Sequence, residues 1–100
     1  MAQGTHDFLD DPRNAQALIY LNGQLLPRAQ AMVSVFDSGF ILGDGIWEGL
    51  RVVAGHPAFL DAHLDRLYEG AKAIALDIGM DRKQITAAIY DTLRANQMRD

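Results

Sequence analysis

Apolar residues change their period along this chain, and the change divides it into two halves. Up to about residue 60 they come in short runs separated by turn residues. Ala17 to Leu21 is apolar and β-prone, Asn22-Gly23 follows, and Gln24-Leu25-Leu26 leads to Pro27. An Asn-Gly pair between two apolar runs predicts a hairpin, because a type I′ turn needs φ > 0 at both central residues. Pro27 has no N–H to give to a ladder, so the second strand ends there or lies at an edge. Met32 to Phe36 alternates and reads as a short extended piece. Ile46 to Val53, IWEGLRVV, reads as a strand. Its alternation puts Trp47, Gly49 and Arg51 on one face and Ile46, Glu48, Leu50 and Val52 on the other. Gly55-His56-Pro57 is turn chemistry, and Ala58 to Leu60 is expected to return as a short antiparallel partner.

Beyond residue 60 the spacing becomes three and four. Leu60, Leu64, Leu67, Tyr68, Ala71, Ile74, Ala75 and Ile78 predict a helix over 61–78, with Asp61 as N-cap and Gly79 as the C-terminal stop. Ile85, Ala88, Ile89 and Leu93 predict a second helix over 81–96. There Asp81, with Gln84 three residues on, makes a capping-box start. Strands first and helices after define an α+β fold, an antiparallel β meander of about four strands with two C-terminal helices packed on it in two layers. Residues 1–16 are polar, carry a solvated His6, and read as a flexible N-terminal arm. Residues 17–100 read as one small domain.

Composition narrows the classes of function. Nine basic against thirteen acidic residues leave a net charge of −4, which argues against a nucleic-acid surface. The chain has no cysteine, so disulfides, cysteine metal sites and thiol catalysis are excluded. The N-terminal stretch has no basic segment leading into an apolar one, and no run approaches the ~20 apolar residues that span a bilayer. A soluble, cytoplasmic protein is expected.

Candidate chemistry gathers around Phe36 to Arg51, FDSGFILGDGIWEGLR, which holds Gly39, Gly43, Gly45 and Gly49. The stretch matches neither G-x-G-x-x-G nor a Walker A sequence, so a tight turn competes with a phosphate cradle. Trp47, Gly49 and Arg51 make a wall for a small anionic ligand, or a core tryptophan with Arg51 at the sheet margin. Arg66 is either a bidentate phosphate clamp or a surface cation paired with Asp65, Glu69 or Glu48. Glu48 faces away from Trp47, where a structural role pairing an arginine suits it. His56 is expected to be exposed in its turn. No nucleophile lies beside His63, Asp61 or Asp65, and neither Lys72 nor Lys83 stands in a setting tuned for imine chemistry.

Four motifs, taken together and in order, carry a resemblance. They are Tyr20-Leu21-Asn22-Gly23, Val33 to Phe40, Gly43 to Arg51, and Phe59-Leu60-x-x-His63-Leu64-Asp65-Arg66-Leu67. From about residue 18 to 98 the chain resembles the N-terminal small domain of class IV (fold type IV) pyridoxal-phosphate-dependent aminotransferases. That family includes branched-chain and D-amino acid aminotransferases, (R)-selective amine transaminases and aminodeoxychorismate lyase. The resemblance implies pyridoxal 5′-phosphate as cofactor, with Arg66 on its phosphate. It implies Trp47, Gly49 and Arg51 along the substrate pocket, and Leu42 reaching the pocket of a second subunit in a homodimer. The substrates it implies are an amino donor (a branched-chain or D-amino acid, or an amine) and a 2-oxo acid, exchanged by ping-pong transamination.

In the family the imine lysine lies on a C-terminal domain, and neither Lys72 nor Lys83 matches its motif. These 100 residues alone are therefore expected not to transaminate. They are expected to expose apolar surface where a second domain belongs. Two other readings compete: a non-catalytic truncated module acting in binding or dimerisation, and an aminodeoxychorismate lyase-like enzyme.

Overall fold

The structure is a computed structural model and describes residues 11–100. Of the arm expected over 1–16, His6 and its neighbours up to residue 10 lie outside the described residues. Residues Pro12–Asn14 form a 3-10 turn capped by the Asp11 carboxylate, which accepts from the Arg13 N–H.

The fold is α+β. Strands β1 (Leu18–Leu21) and β2 (Gln24–Pro27) form an antiparallel hairpin in which Ile19 pairs with Leu26 and Leu21 with Gln24. The turn residues Asn22 and Gly23 have φ of 51° and 87°, as a type I′ turn demands. A short helix α1 (Ser38–Ile41) follows. Strands β3 (Val52–Val53) and β4 (His56–Pro57) form a second, smaller hairpin, and helices α2 (Leu60–Ala73) and α3 (Arg82–Ala95) complete the order. The four strands make two separate two-stranded sheets rather than one meander.

Several boundaries move for physical reasons. The second hairpin turns one place earlier than Gly55-His56-Pro57 suggests, because Ala54 and Gly55 take φ of 51° and 81°. Its return strand is therefore His56–Pro57, not Ala58 to Leu60. Met32 to Phe36 forms no strand. Helix α2 is preceded by Phe59 at φ 56°, so Asp61 lies within its first turn and is not its N-cap. It also ends well before Gly79. The Leu76 N–H donates to the Ala71 carbonyl at 2.8 Å and the Ala75 N–H to that of Lys72 at 3.2 Å. These two bonds are a Schellman closure with Ala75, at φ 56°, in the left-handed position that glycine usually takes. Helix α3 begins as its sequence indicates. The Asp81 carboxylate accepts from the Gln84 N–H at 2.8 Å, and the Gln84 side chain accepts from the Asp81 N–H at 2.9 Å.

The core is thin. Leu64, Ala71 and Leu93 are its buried apolar residues, and an apolar hollow of about 410 Å³ remains where Leu50 and Val52 face Ile85, Ile89 and Leu93 of α3. Asn96 docks α3 onto β1. Its carboxamide accepts from the Leu18 N–H at 2.7 Å and donates to the Leu18 carbonyl at 2.9 Å, taking the place of a neighbouring strand. Replacing Asn96 by Ala leaves both half-buried backbone groups without this partner. The expected loss is about 1–3 kcal/mol in urea denaturation. An unchanged midpoint would show that water serves Leu18 equally well.

One face stays uncovered. Met32, Val33, Val35, Phe36, Phe40 and Leu42 all stand well exposed, a run of apolar surface larger than scattered residues would give.

Candidate functional site

The segment 46–51 is assigned no strand, contrary to expectation, and only Val52–Val53 pairs with a neighbour. Its side chains nevertheless alternate without interruption. Ile46, Glu48, Leu50 and Val52 are half-buried toward the helices, while Trp47, Gly49, Arg51 and Val53 face outward. The period comes from the extended backbone of the segment itself. The ladder would need a partner strand, and the described residues do not supply one along 46–51. The Arg51 carbonyl does accept from the Ala58 N–H at 2.7 Å.

The outward row holds three of the expected pocket residues. Trp47 is 84% exposed, so it is not packed in the core of the described residues. A Cβ added at Gly49 would lie 3.5 Å from Trp47 Cζ3, in ordinary contact, so the indole leans over the space that the glycine leaves open. Arg51 is exposed on the same row. Leu42, the fourth, caps the C-terminal end of α1 and is exposed there. The stretch before it is a tight turn. The Asp37 carboxylate caps α1 by accepting from the Gly39 N–H at 3.0 Å. A Cβ on Gly39 would come within 2.9 Å of that carboxylate oxygen, and Gly43 takes φ 73°, so these two positions explain the glycines best. Nothing in this geometry forms a phosphate cradle.

The inward row meets α2 at a cluster of charge. The Arg66 Nε donates to Glu48 Oε1 at 2.7 Å and its Nη2 to Oε2 at 2.8 Å, a bidentate fork. His63 lies on the same face of α2, three residues before Arg66, with Nδ1 3.5 Å from Glu48 Oε1. The Arg66 side chain is 71% exposed while that of Glu48 is only 12% exposed, so the carboxylate is the fixed end of the pair. A cleft of about 240 Å³, lined by Phe59, Ala62, His63 and Arg66, opens beside it. Of the partners open to Arg66 from the sequence, the structure selects Glu48, and Asp65 instead takes Arg82 of α3 at 2.7 Å. The sequence grouped His63 with Arg66 in one motif, three residues apart, but did not show that His63 lies against Glu48. Phe59 belongs to the same motif, but its left-handed backbone at φ 56° has no sequence signature.

Hydrogen bonds from Arg66 hold the Glu48 carboxyl below its ordinary value of 4.5, desolvation opposes them, and His63 adds a smaller pull in the same direction as Arg66. The same bonds raise the Arg66 guanidinium. Because the folded value is depressed, the contribution of the pair is complete above the unfolded carboxylate range. It is lost as pH falls through the lower, folded value. Carbon-detected titration of Glu48 should therefore give a midpoint below 4.5, and Arg66→Ala should raise it. A midpoint that ignores Arg66→Ala would mean that the fork does not hold in solution.

His56 is exposed, and its Nδ1 lies 3.0 Å from the Tyr90 hydroxyl. Lys72 and Lys83 are both exposed. Among the described residues no group of three His, Asp or Glu side chains could hold a metal ion, and no helix is long and apolar enough to cross a membrane.

Residues 45–100 match the family described as amino-transferase class IV. The chain is 46% identical over 89 residues to branched-chain-amino-acid aminotransferase-like protein 1 of Arabidopsis thaliana, covering 89% of this chain and 16% of that protein. It is 32% identical over 82 residues to a D-alanine aminotransferase of Bacillus licheniformis, covering 82% of this chain and 29% of that protein. It is 31% identical over 83 residues to an aminodeoxychorismate lyase of Bacillus subtilis, covering 83% and 28% respectively. The chain therefore belongs to the class IV aminotransferase family. It spans less than a third of the length of each of these relatives.

Proposed function

We propose that this chain is the small domain of a pyridoxal-phosphate-dependent aminotransferase, in which Arg66 anchors the cofactor phosphate. One observation carries the reading. Arg66 is a charged fork held at one edge by Glu48, with Nη1 unpartnered among the described residues and a cleft beside it. Those features fit a phosphate, which takes charge-assisted hydrogen bonds from a guanidinium in a defined plane. When bound, pyridoxal phosphate supplies an electron sink for the bond changes at the substrate carbon. This chain's own groups bind and orient. Arg66 holds the phosphate, Trp47 and Gly49 shape one wall, and Arg51 offers a cation to a substrate carboxylate. Leu42 extends the apolar surface toward a second subunit of a homodimer.

The reaction moves an amino group from an amino acid or amine to a 2-oxo acid. The branched-chain-aminotransferase-like relative, at 46% identity against 31% for the lyase, supports transfer over the lyase alternative. The exposed run from Met32 to Leu42 supports a covering domain or subunit, against the reading of a free-standing module. The test is amino transfer by the intact native protein, supplied with pyridoxal phosphate and a panel of amino acids and 2-oxo acids. Production of a new amino acid is expected. Conversion of aminodeoxychorismate without any transfer would favour the lyase, and no conversion of either kind would favour the binding module.

A further inference from the structure

We propose that Glu48 is a positioning residue whose task is to aim Arg66 at the phosphate. The inference rests on the reading of Arg66 as the anchor. An acidic residue paired with an anion-binding arginine has two possible effects, and they have opposite signs. It can cancel the charge that attracts the anion, or it can fix the direction of the N–H groups that hold it.

Three features favour direction. First, Glu48 uses both oxygens on the Nε–Nη2 edge, at 2.7 and 2.8 Å, which sets the plane of the guanidinium as a single contact could not. The opposite edge, with Nη1, is left for a ligand. Second, the support is sheltered where the working end is open. Glu48 lies on the inward row of its segment, whereas Arg66 reaches into solvent. A long exposed arginine otherwise spreads over many rotamers, and holding it in one removes entropy that phosphate binding would have to supply. Third, His63 Nδ1 lies 3.5 Å from Oε1, the oxygen that takes Nε, so a second residue of α2 stands against the same carboxylate. Glu48 lies on the inward row, opposite Trp47, Gly49 and Arg51, and its two hydrogen bonds go to Arg66, so its effect on a ligand is exerted through Arg66.

The test is a double-mutant cycle on phosphate affinity in the intact native protein, with inorganic phosphate and pyridoxal phosphate as probes. Glu48→Gln keeps the size of the side chain and removes its charge and half of the fork. Affinity for both probes should fall about tenfold, the scale of one charge-assisted hydrogen bond. In an Arg66→Ala background the same change should do nothing, because nothing remains to be aimed. Glu48→Asp keeps the charge but shortens the reach, and should also weaken both probes. It serves if Glu48→Gln fails to fold.

Tighter phosphate binding by Glu48→Gln would overturn the proposal, since it would mean that Glu48 only cancels charge. Unchanged binding would overturn it too. If Arg66→Ala itself leaves phosphate affinity unchanged, the anchor reading fails and the inference falls with it. If Arg66→Ala weakens binding and Glu48→Gln does not, the anchor stands and only the positioning role is lost.

Discussion

Leu64→Ala should remove a large share of the stability of this domain. Leu64 is only 4% exposed, and among the described residues the buried hydrophobic core consists of Leu64, Ala71 and Leu93, with Pro57 also buried. Truncating a buried leucine costs the transfer energy of the lost carbons and leaves a cavity, about 2–5 kcal/mol in all. The whole stability of a small domain is about 5–15 kcal/mol, and a core this thin belongs at the low end. The comparison that makes the test sharp is Ile74→Ala. Sequence spacing puts Leu64 and Ile74 on one helical stripe. In the structure α2 ends at Ala73, and Ile74 is 48% exposed beyond it. Urea denaturation followed by circular dichroism should show a large loss for Leu64→Ala and a loss below about 1 kcal/mol for Ile74→Ala. Equal losses would mean that α2 continues past Ala73 and packs along the whole stripe.

Arg66→Ala should weaken the retention of pyridoxal phosphate by the intact native protein about 10- to 100-fold, the range set by charge-assisted hydrogen bonds. Removal of the guanidinium also strands Glu48, which is then a mostly buried carboxylate without its fork. A general loosening of the site could imitate loss of the anchor, so the informative quantity is a ratio. Pyridoxal lacks the phosphate, and its affinity should change little. Pyridoxal phosphate should therefore lose most of its advantage over pyridoxal in the variant. Equal weakening of both compounds would assign Arg66 a structural role, and no weakening of either would remove it from the site.

Much of the fold and part of the candidate site could be read in the chain, and particular residues show why. Asn22-Gly23 and Asp81 with Gln84 are local devices. Each satisfies backbone groups within a few residues, so their chemistry is complete in the sequence and the structure repeats it. The outward row of Trp47, Gly49 and Arg51 is equally local, since the period of an extended backbone needs no neighbour. The helix ends were harder to read. Both α2 and α3 close with Schellman bonds around a left-handed residue that is not glycine, Ala75 at φ 56° and Gln97 at φ 52°. Glycine lowers the cost of that conformation, but packing and the two closing bonds can impose it on another residue. Gly79, a glycine at φ 76°, lies beyond the end of α2 at Ala73.

The sequence by itself determined the α+β class, both hairpin partners' existence, the two amphipathic helices and the sidedness of residues 46–53. All of these depend on periodicity and turn chemistry carried by neighbouring residues. Only the tertiary structure decided that the four strands form two sheets, because strand pairing joins residues that the chain does not bring together on its own. It alone chose Glu48 among three possible partners for Arg66, and it placed His63 beside them. It also set Asn96 against Leu18, 78 residues away. Side-chain reach and helix placement settle such contacts, and a linear pattern contains neither.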